Sequence, residues 1–157
     1  MKPELLAPAG SLAKLKCALH FGADAVYAGG KAFSLRAFSN NFTQDEFAEG
    51  ISFAHTLGKK VYVAVNIFAR NADLKELSAY FAALAEMGAD AVLISDLGVP
   101  AVCQLAAPQP LVHFSMQANV PSATARSIVY AYQAHLHDLA PDIQPSARPH
   151  TQSHRRT

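Results

Sequence analysis

The chain has 157 residues, 51% hydrophobic and 16% charged, with two Cys and no Trp. That is the composition of a soluble globular domain, and it excludes a disordered, collagenous or disulfide-stapled chain. Formal charge is +1, from 13 Lys plus Arg against 12 Asp plus Glu, so no global field draws in nucleic acid or anionic membrane and any RNA contact has to be local.

In chain order, the first apolar run is Leu5-Leu6-Ala7, followed by a helical pattern from about Ser11 to Phe21 with Leu12, Leu15 and Leu19 on one face. A second run, Ala25-Val26-Tyr27-Ala28, leads into a long loop from Gly29 to Phe42. Thr43-Gln44-Asp45-Glu46 has the form of a capping box, and Phe47, Ile51, Ala54 and Leu57 follow it at helical spacing. Val61-Tyr62-Val63-Ala64-Val65 is the third run. Asp73 with Glu76 reads as the start of a third helix carrying Leu74, Leu77, Phe81 and Leu84. Ala91-Val92-Leu93-Ile94, a shorter helix near Ala101 to Ala106 and Leu111-Val112-His113-Phe114 complete the series.

Gly22-Ala23-Asp24-Ala25-Val26 recurs as Gly88-Ala89-Asp90-Ala91-Val92, with Gly58-Lys59-Lys60-Val61 in the equivalent place between them. Each Gly follows a helical pattern and precedes an apolar run, the position of a left-handed residue that ends a helix. The runs themselves are continuously apolar, as in parallel strands covered on both faces. Strand and helix alternation of this kind calls for a parallel sheet with right-handed crossovers, and Pro8-Ala9-Gly10-Ser11 lacks the GxGxxG fingerprint of a dinucleotide fold. The fold class expected is therefore α/β, a partial (β/α)8 TIM-like barrel of about five βα units.

Composition shifts along the chain: the last Gly is Gly98, the last Phe is Phe114 and the last Lys is Lys75. Residues 121–157 read as a separate tail, with a helix over 123–134 and then a His-, Pro-, Gln- and Arg-rich end poorly able to fold. Met1 to Gly10 lacks the basic and apolar regions of a signal peptide, and the uncharged stretch Leu97 to Ala125 is interrupted by four Pro. A cytoplasmic protein without membrane association is expected. Cys17 and Cys103 have no second thiol near them in sequence, so CxxC redox and zinc motifs are excluded, and the His-rich tail has no metal-binding spacing on a credible helix.

In parallel α/β folds, binding groups collect at the C-terminal ends of the strands. That rule selects Arg36 in the long loop, Asn66 after the third run, Ser95 and Asp96 after the fourth, and Ser115, Gln117 and Asn119 after the fifth. A guanidinium at Arg36 suits bidentate capture of a carboxylate or phosphate, or else orders its own loop. Ser95-Asp96 lines a site or caps the next helix. His113, Ser115, Gln117 and Asn119 share parity, which indicates a lined cavity or a sheet edge facing water. No nucleophile and base pair can be named.

Lys2-Pro3-Glu4-Leu5-Leu6-Ala7-Pro8-Ala9-Gly10, the stretch from Gly22 to Gly30, Ser34-Leu35-Arg36, Asn40-Asn41-Phe42, Val65-Asn66-Ile67, Ser95-Asp96-Leu97-Gly98 and Ser115-Met116-Gln117-Ala118-Asn119 together resemble the amino-terminal region of the collagenase-like peptidase family. The resemblance covers about Lys2 to Val120, giving a family region over 1–120. It is strongest to the branch that hydroxylates tRNA, making 5-hydroxyuridine at the wobble position in a prephenate-dependent pathway. It implies an incomplete barrel, an iron-sulfur cluster held by Cys and a carboxylate-bearing small molecule near the strand ends. Arg36 would bind the carboxylate, and Asn66, Ser95, Asp96, Ser115, Gln117 and Asn119 would line the pocket. Cys17 and Cys103 match none of the family's cluster ligands, so this chain is expected to bind no cofactor itself. Against the roughly 250 residues of a complete barrel, it reads as a truncated or frame-shifted product. The alternatives are a collagenase-like peptidase, a hydrolase, and a non-enzymatic half-barrel that associates with itself or a partner through its sheet edges.

Overall fold

The computed structural model describes residues 3–34, 41–108, 111–115, 118 and 135–136. The elements are β1 (Leu6–Pro8), α1 (Leu12–His20), β2 (Ala25–Gly29), α2 (Gln44–Thr56), β3 (Lys60–Val65), α3 (Leu74–Glu86), β4 (Ala91–Ile94), α4 (Val99–Ala106), β5 (Leu111–Phe114) and β6 (His135–Leu136). The strands form one sheet in the order β1-β2-β3-β4-β5-β6, and every neighbouring pair is parallel. A doubly wound sheet reverses strand order at a switch point. This one never reverses, which is the winding of a (β/α) barrel. The expected partial α/β barrel is the architecture observed.

The sheet contains one strand more than the five read from the sequence, because β6 pairs with β5 at His113↔His135 and Phe114↔Leu136. It lies beyond the Val120 boundary drawn from the sequence. The expected helix over 123–134 and the tail from 137 fall outside the described residues.

Local chemistry explains the boundaries. Gly22, Gly58 and Gly88 have φ of 102°, 65° and 82°, so the three punctuating glycines do end α1, α2 and α3 in conformations that a Cβ disfavours. Thr43 caps α2 as expected: its hydroxyl accepts from the Glu46 N–H at 3.2 Å while the Glu46 carboxylate accepts from the Thr43 N–H at 2.8 Å. Those bonds hold the Glu46 carboxyl below its usual range. Ser11 caps α1 by accepting from Lys14 N–H at 3.3 Å. Asp73 stands at the start of α3 as expected. Its side chain caps nothing in α3 and accepts instead from the Arg70 N–H at 2.8 Å.

Two apolar layers sit on the two faces of the sheet. The larger joins Val26, Val61, Val63, Val65, Val92, Ile94 and Phe114 to Leu15 and Leu19 of α1, Phe47, Ile51 and Ala54 of α2, and Leu77, Phe81 and Leu84 of α3. Leu57, expected on the inward stripe of α2, is 45% exposed because it stands past the helix end as its C-cap. The smaller layer is built from strand residues alone, Ala25, Tyr62 and Ala91 with Leu6 and Leu93. It is therefore the inner face of the partial barrel, opposite the helices.

The aspartates of the repeated Gly-Ala-Asp motif perform one task twice. Asp24, just before β2, accepts from Leu5 N–H at 3.0 Å at the start of the neighbouring β1, and pairs with Lys59 at 2.9 Å. Asp90, just before β4, accepts from Val61 N–H at 2.8 Å in the neighbouring β3, and meets His55 at 3.1 Å. Each carboxylate satisfies an N–H at the N-terminal end of an adjacent strand. Glu4 adds a third contact at this end, receiving the Tyr62 hydroxyl at 2.6 Å and Lys60 Nζ at 3.0 Å.

Candidate functional site

Register places the polar residues at the opposite end. Val65, Ile94 and Phe114 are consecutive partners across β3, β4 and β5, so the next residues, Asn66, Ser95 and Ser115, stand side by side. The Ser115 N–H donates to the Ile94 carbonyl at 2.8 Å, which carries the ladder one step past β5. Parity assigns all three to the inner face, two and four residues beyond Leu93 and Ala91 and beyond the corresponding positions of β3. Ser95 is buried, and Asn66 and Ser115 are half-buried. Each of the three is already engaged by a hydrogen-bonding, ring or electrostatic partner.

Beneath this row the same face carries Gly29, Ala64, Leu93 and His113, in register. Gly29 makes space for Ser34, whose Oγ stands where a Cβ at position 29 would be. His113 is buried, and its ring meets Tyr62 edge-on at 5.0 Å and 78°. The shared parity read from the sequence for His113 and Ser115 is the geometry found, and both stand on the inner face. Gln117 and Asn119, the other members of that series, lie outside the described residues, as does Arg36.

Asp96 does not join the row. Its Oδ1 accepts from the Gly98 N–H at 2.7 Å, forming a tight turn that introduces α4, whose N-cap, Gly98, has no side-chain cap. Of the two roles open to Ser95-Asp96, Ser95 takes a place in the row and Asp96 shapes the turn.

The long loop after β2 is closed at its base as though the sheet continued. Phe42 N–H donates to the Gly29 carbonyl and Lys31 N–H to the Phe42 carbonyl, both at 3.1 Å, while Asn41 Nδ2 donates to the Gly30 carbonyl at 3.0 Å. Arg36 therefore belongs to a loop whose two ends are pinned at the rim of the site. Behind it, the ring of Tyr80 from α3 packs against Phe33 at 5.3 Å, and a Cβ on Gly30 would strike the Tyr80 hydroxyl. That hydroxyl is buried with no hydrogen-bond partner, and burial pushes its pKa up to about 12. The α3 stripe read from the sequence omits Tyr80, although it stands three residues after Leu77 on the same face.

The fit of an iron-sulfur cluster can be tested on the residues present. Such clusters take about four Cys thiolates. The chain has two Cys, Cys17 exposed on α1 and Cys103 buried on α4. Burial pushes the Cys103 thiol up to about 11, away from the thiolate a metal needs. These residues do not fit a cluster, and no group of three or more His, Cys, Asp or Glu suited to a metal exists among the described residues. No described helix is long and apolar enough to cross a membrane.

The tRNA hydroxylation protein P1 of Bacillus subtilis is 45% identical over 119 residues, covering 76% of this chain and 28% of that protein. An uncharacterized protease of Methanocaldococcus jannaschii is 46% identical over 123 residues, covering 76% of this chain and 29% of that protein. The chain thus spans less than a third of the length of these curated relatives. Among solved structures, the U32 peptidase Mk0906 superposes with a TM-score of 0.70 over 85% of this chain and 56% of that one, at 13% identity, a likeness of fold. Peptidase family U32 matches residues 10–136, a span that begins after β1 and ends on β6. The chain belongs to peptidase family U32.

Proposed function

We propose that this chain contributes the amino-terminal part of a substrate pocket for hydroxylation of tRNA, at C5 of the wobble uridine, in the cytoplasm. The observation that carries the reading is the 45% identity to a tRNA hydroxylation protein over a stretch that includes the whole polar row. A related tRNA hydroxylation protein of Escherichia coli is 46% identical over 118 residues. In this reading Arg36 holds the carboxylate of a small molecule such as prephenate. Asn66, Ser95 and Ser115 orient it by hydrogen bonds on the inner face, Gln117 and Asn119 extend the row, and Asp96 sets the turn beside it. Cys17 and Cys103 take no part in holding an iron-sulfur cluster in this reading.

The alternative, peptide hydrolysis, draws on the family's name and on the Methanocaldococcus jannaschii relative. Side-chain amide and hydroxyl groups in a row, with no nucleophile and base pair named among the described residues, suit binding and orientation better than attack on a peptide bond.

The test is a chimera in which residues 1–120 replace the matching segment of the Bacillus subtilis relative, expressed in a strain deleted for that gene. Mass spectrometry of tRNA nucleosides is expected to show 5-hydroxyuridine restored, and Ser115→Ala to reduce it. A folded chimera that makes none, yet cleaves gelatin, would replace this reading with the hydrolase.

A further inference from the structure

The segment between β3 and α3 presents an aromatic ring and a guanidinium at the rim of the polar row. Asn66 belongs to the inner face. Two residues on, Phe68 is 72% exposed. Ala69 packs against the main core, and Arg70 is exposed again. This out-in-out pattern anchors the segment through Ala69 and sets Phe68 and Arg70 on its outer side. The backbone at Arg70 is fixed: its N–H donates to Asp73 Oδ2 at 2.8 Å and its carbonyl accepts from Asp73 N–H at 2.8 Å. Asp73 is thereby engaged by main chain, and the Arg70 guanidinium makes no ion pair among the described residues.

Phe68 and Arg70 start at most about 7 Å apart along the chain, a span that one nucleotide bridges between its base and a neighbouring phosphate. Every base offers a π face to an aromatic ring, and an unengaged guanidinium is suited to a phosphate. The near-neutral total charge means that RNA has to be held by such local contacts and not by a broad basic field. We infer that Phe68 and Arg70 form a single-nucleotide clamp for unpaired RNA: Phe68 stacks on a base next to the one that enters the site, and Arg70 holds the intervening phosphate. The inference rests on the RNA reading above and names the side chains that would contact the strand.

Fluorescence anisotropy of the full chain with a labelled RNA hairpin carrying unpaired uridines, beside duplex RNA of matched composition, tests the clamp. Wild-type protein is expected to prefer the hairpin. Phe68→Ala should weaken hairpin binding by about tenfold or more, and Phe68→Tyr should retain it, since stacking needs a ring and not a particular one. Arg70→Gln should weaken binding and lower the slope of log K against log salt by about 0.7, the loss of one phosphate contact on a single strand. Both side chains are exposed, so circular dichroism should show unchanged folding. Hairpin binding that is equally tight in Phe68→Ala and Arg70→Gln overturns the clamp while leaving the RNA reading intact. No binding of either RNA by wild type overturns both.

Discussion

The two ends of the barrel strands carry different polar residues: carboxylates at one, neutral amide and hydroxyl groups at the other. At the N-terminal end, Asp24, Asp90 and Glu4 spend their carboxylate oxygens on partners within the fold: Leu5 N–H, Val61 N–H, Lys59, Lys60, His55 and the Tyr62 hydroxyl. At the C-terminal end, Asn66, Ser95 and Ser115 form a neutral row on the inner face, one step above Gly29, Ala64, Leu93 and His113. Charge satisfied by the fold's own backbone holds the sheet together. The proposed ligand role belongs to the neutral row at the other end. Register and hydrogen bonding distinguish the positions of the two sets.

The largest expected effect comes from the N-terminal end. Asp24→Ala with Asp90→Ala leaves two strand N–H groups without their partners, and the double variant should lose about 3 kcal/mol of stability. Urea denaturation would read this as a lower midpoint at an unchanged slope. At the other end, Asn66→Ala and Ser115→Ala in the chimera should each lower 5-hydroxyuridine yield by about tenfold, with a smaller stability change than the aspartate pair. Equal losses of stability at both ends would erase the distinction between scaffold and site.

Smaller effects sharpen the picture between the ends. Tyr80→Phe removes a buried hydroxyl that has no partner, so stability should rise by about 1 kcal/mol. The same variant has a pH signature. With the folded pKa of Tyr80 near 12 against 10.0 for the ordinary group, the unfolded chain releases its proton first. This contribution is intact below about pH 10 and lost between about pH 10 and 12. Tyr80→Phe should flatten that alkaline decline, and the raised Tyr62 hydroxyl should leave part of it in place. The smallest effect belongs to the surface: Lys16→Ala breaks an ion pair with Glu49 at 2.6 Å between well-exposed groups and should cost at most about 0.5 kcal/mol.

Much of the fold was legible because its signals are local. A helix-ending Gly before each of three apolar runs, and Thr43 with Glu46 three residues on, require nothing beyond their neighbours in sequence. Asp24 and Asp90 were visible as a repeat, and their recurrence at one offset before a strand was the available clue. Their partners lie on adjacent strands, beyond what spacing can show. Strands buried on both faces conceal which residues point inward, so Tyr62 and the alignment of Asn66, Ser95 and Ser115 emerge only from register. Asp73 marks the start of α3 in sequence and structure alike, but its bond to the Arg70 N–H is not visible in spacing. Phe68 was hidden among other apolar residues, since sequence does not distinguish an exposed ring from a buried one.

The central claim is that the polar row, and not the carboxylates at the other end, serves the chemistry on RNA. Its most direct measurement is the 5-hydroxyuridine content of tRNA from cells carrying the chimera with Asn66→Ala or with Asp90→Ala, at matched amounts of folded protein. The row predicts modification lost with Asn66→Ala and retained with Asp90→Ala. Retention with Asn66→Ala and loss with Asp90→Ala would contradict it.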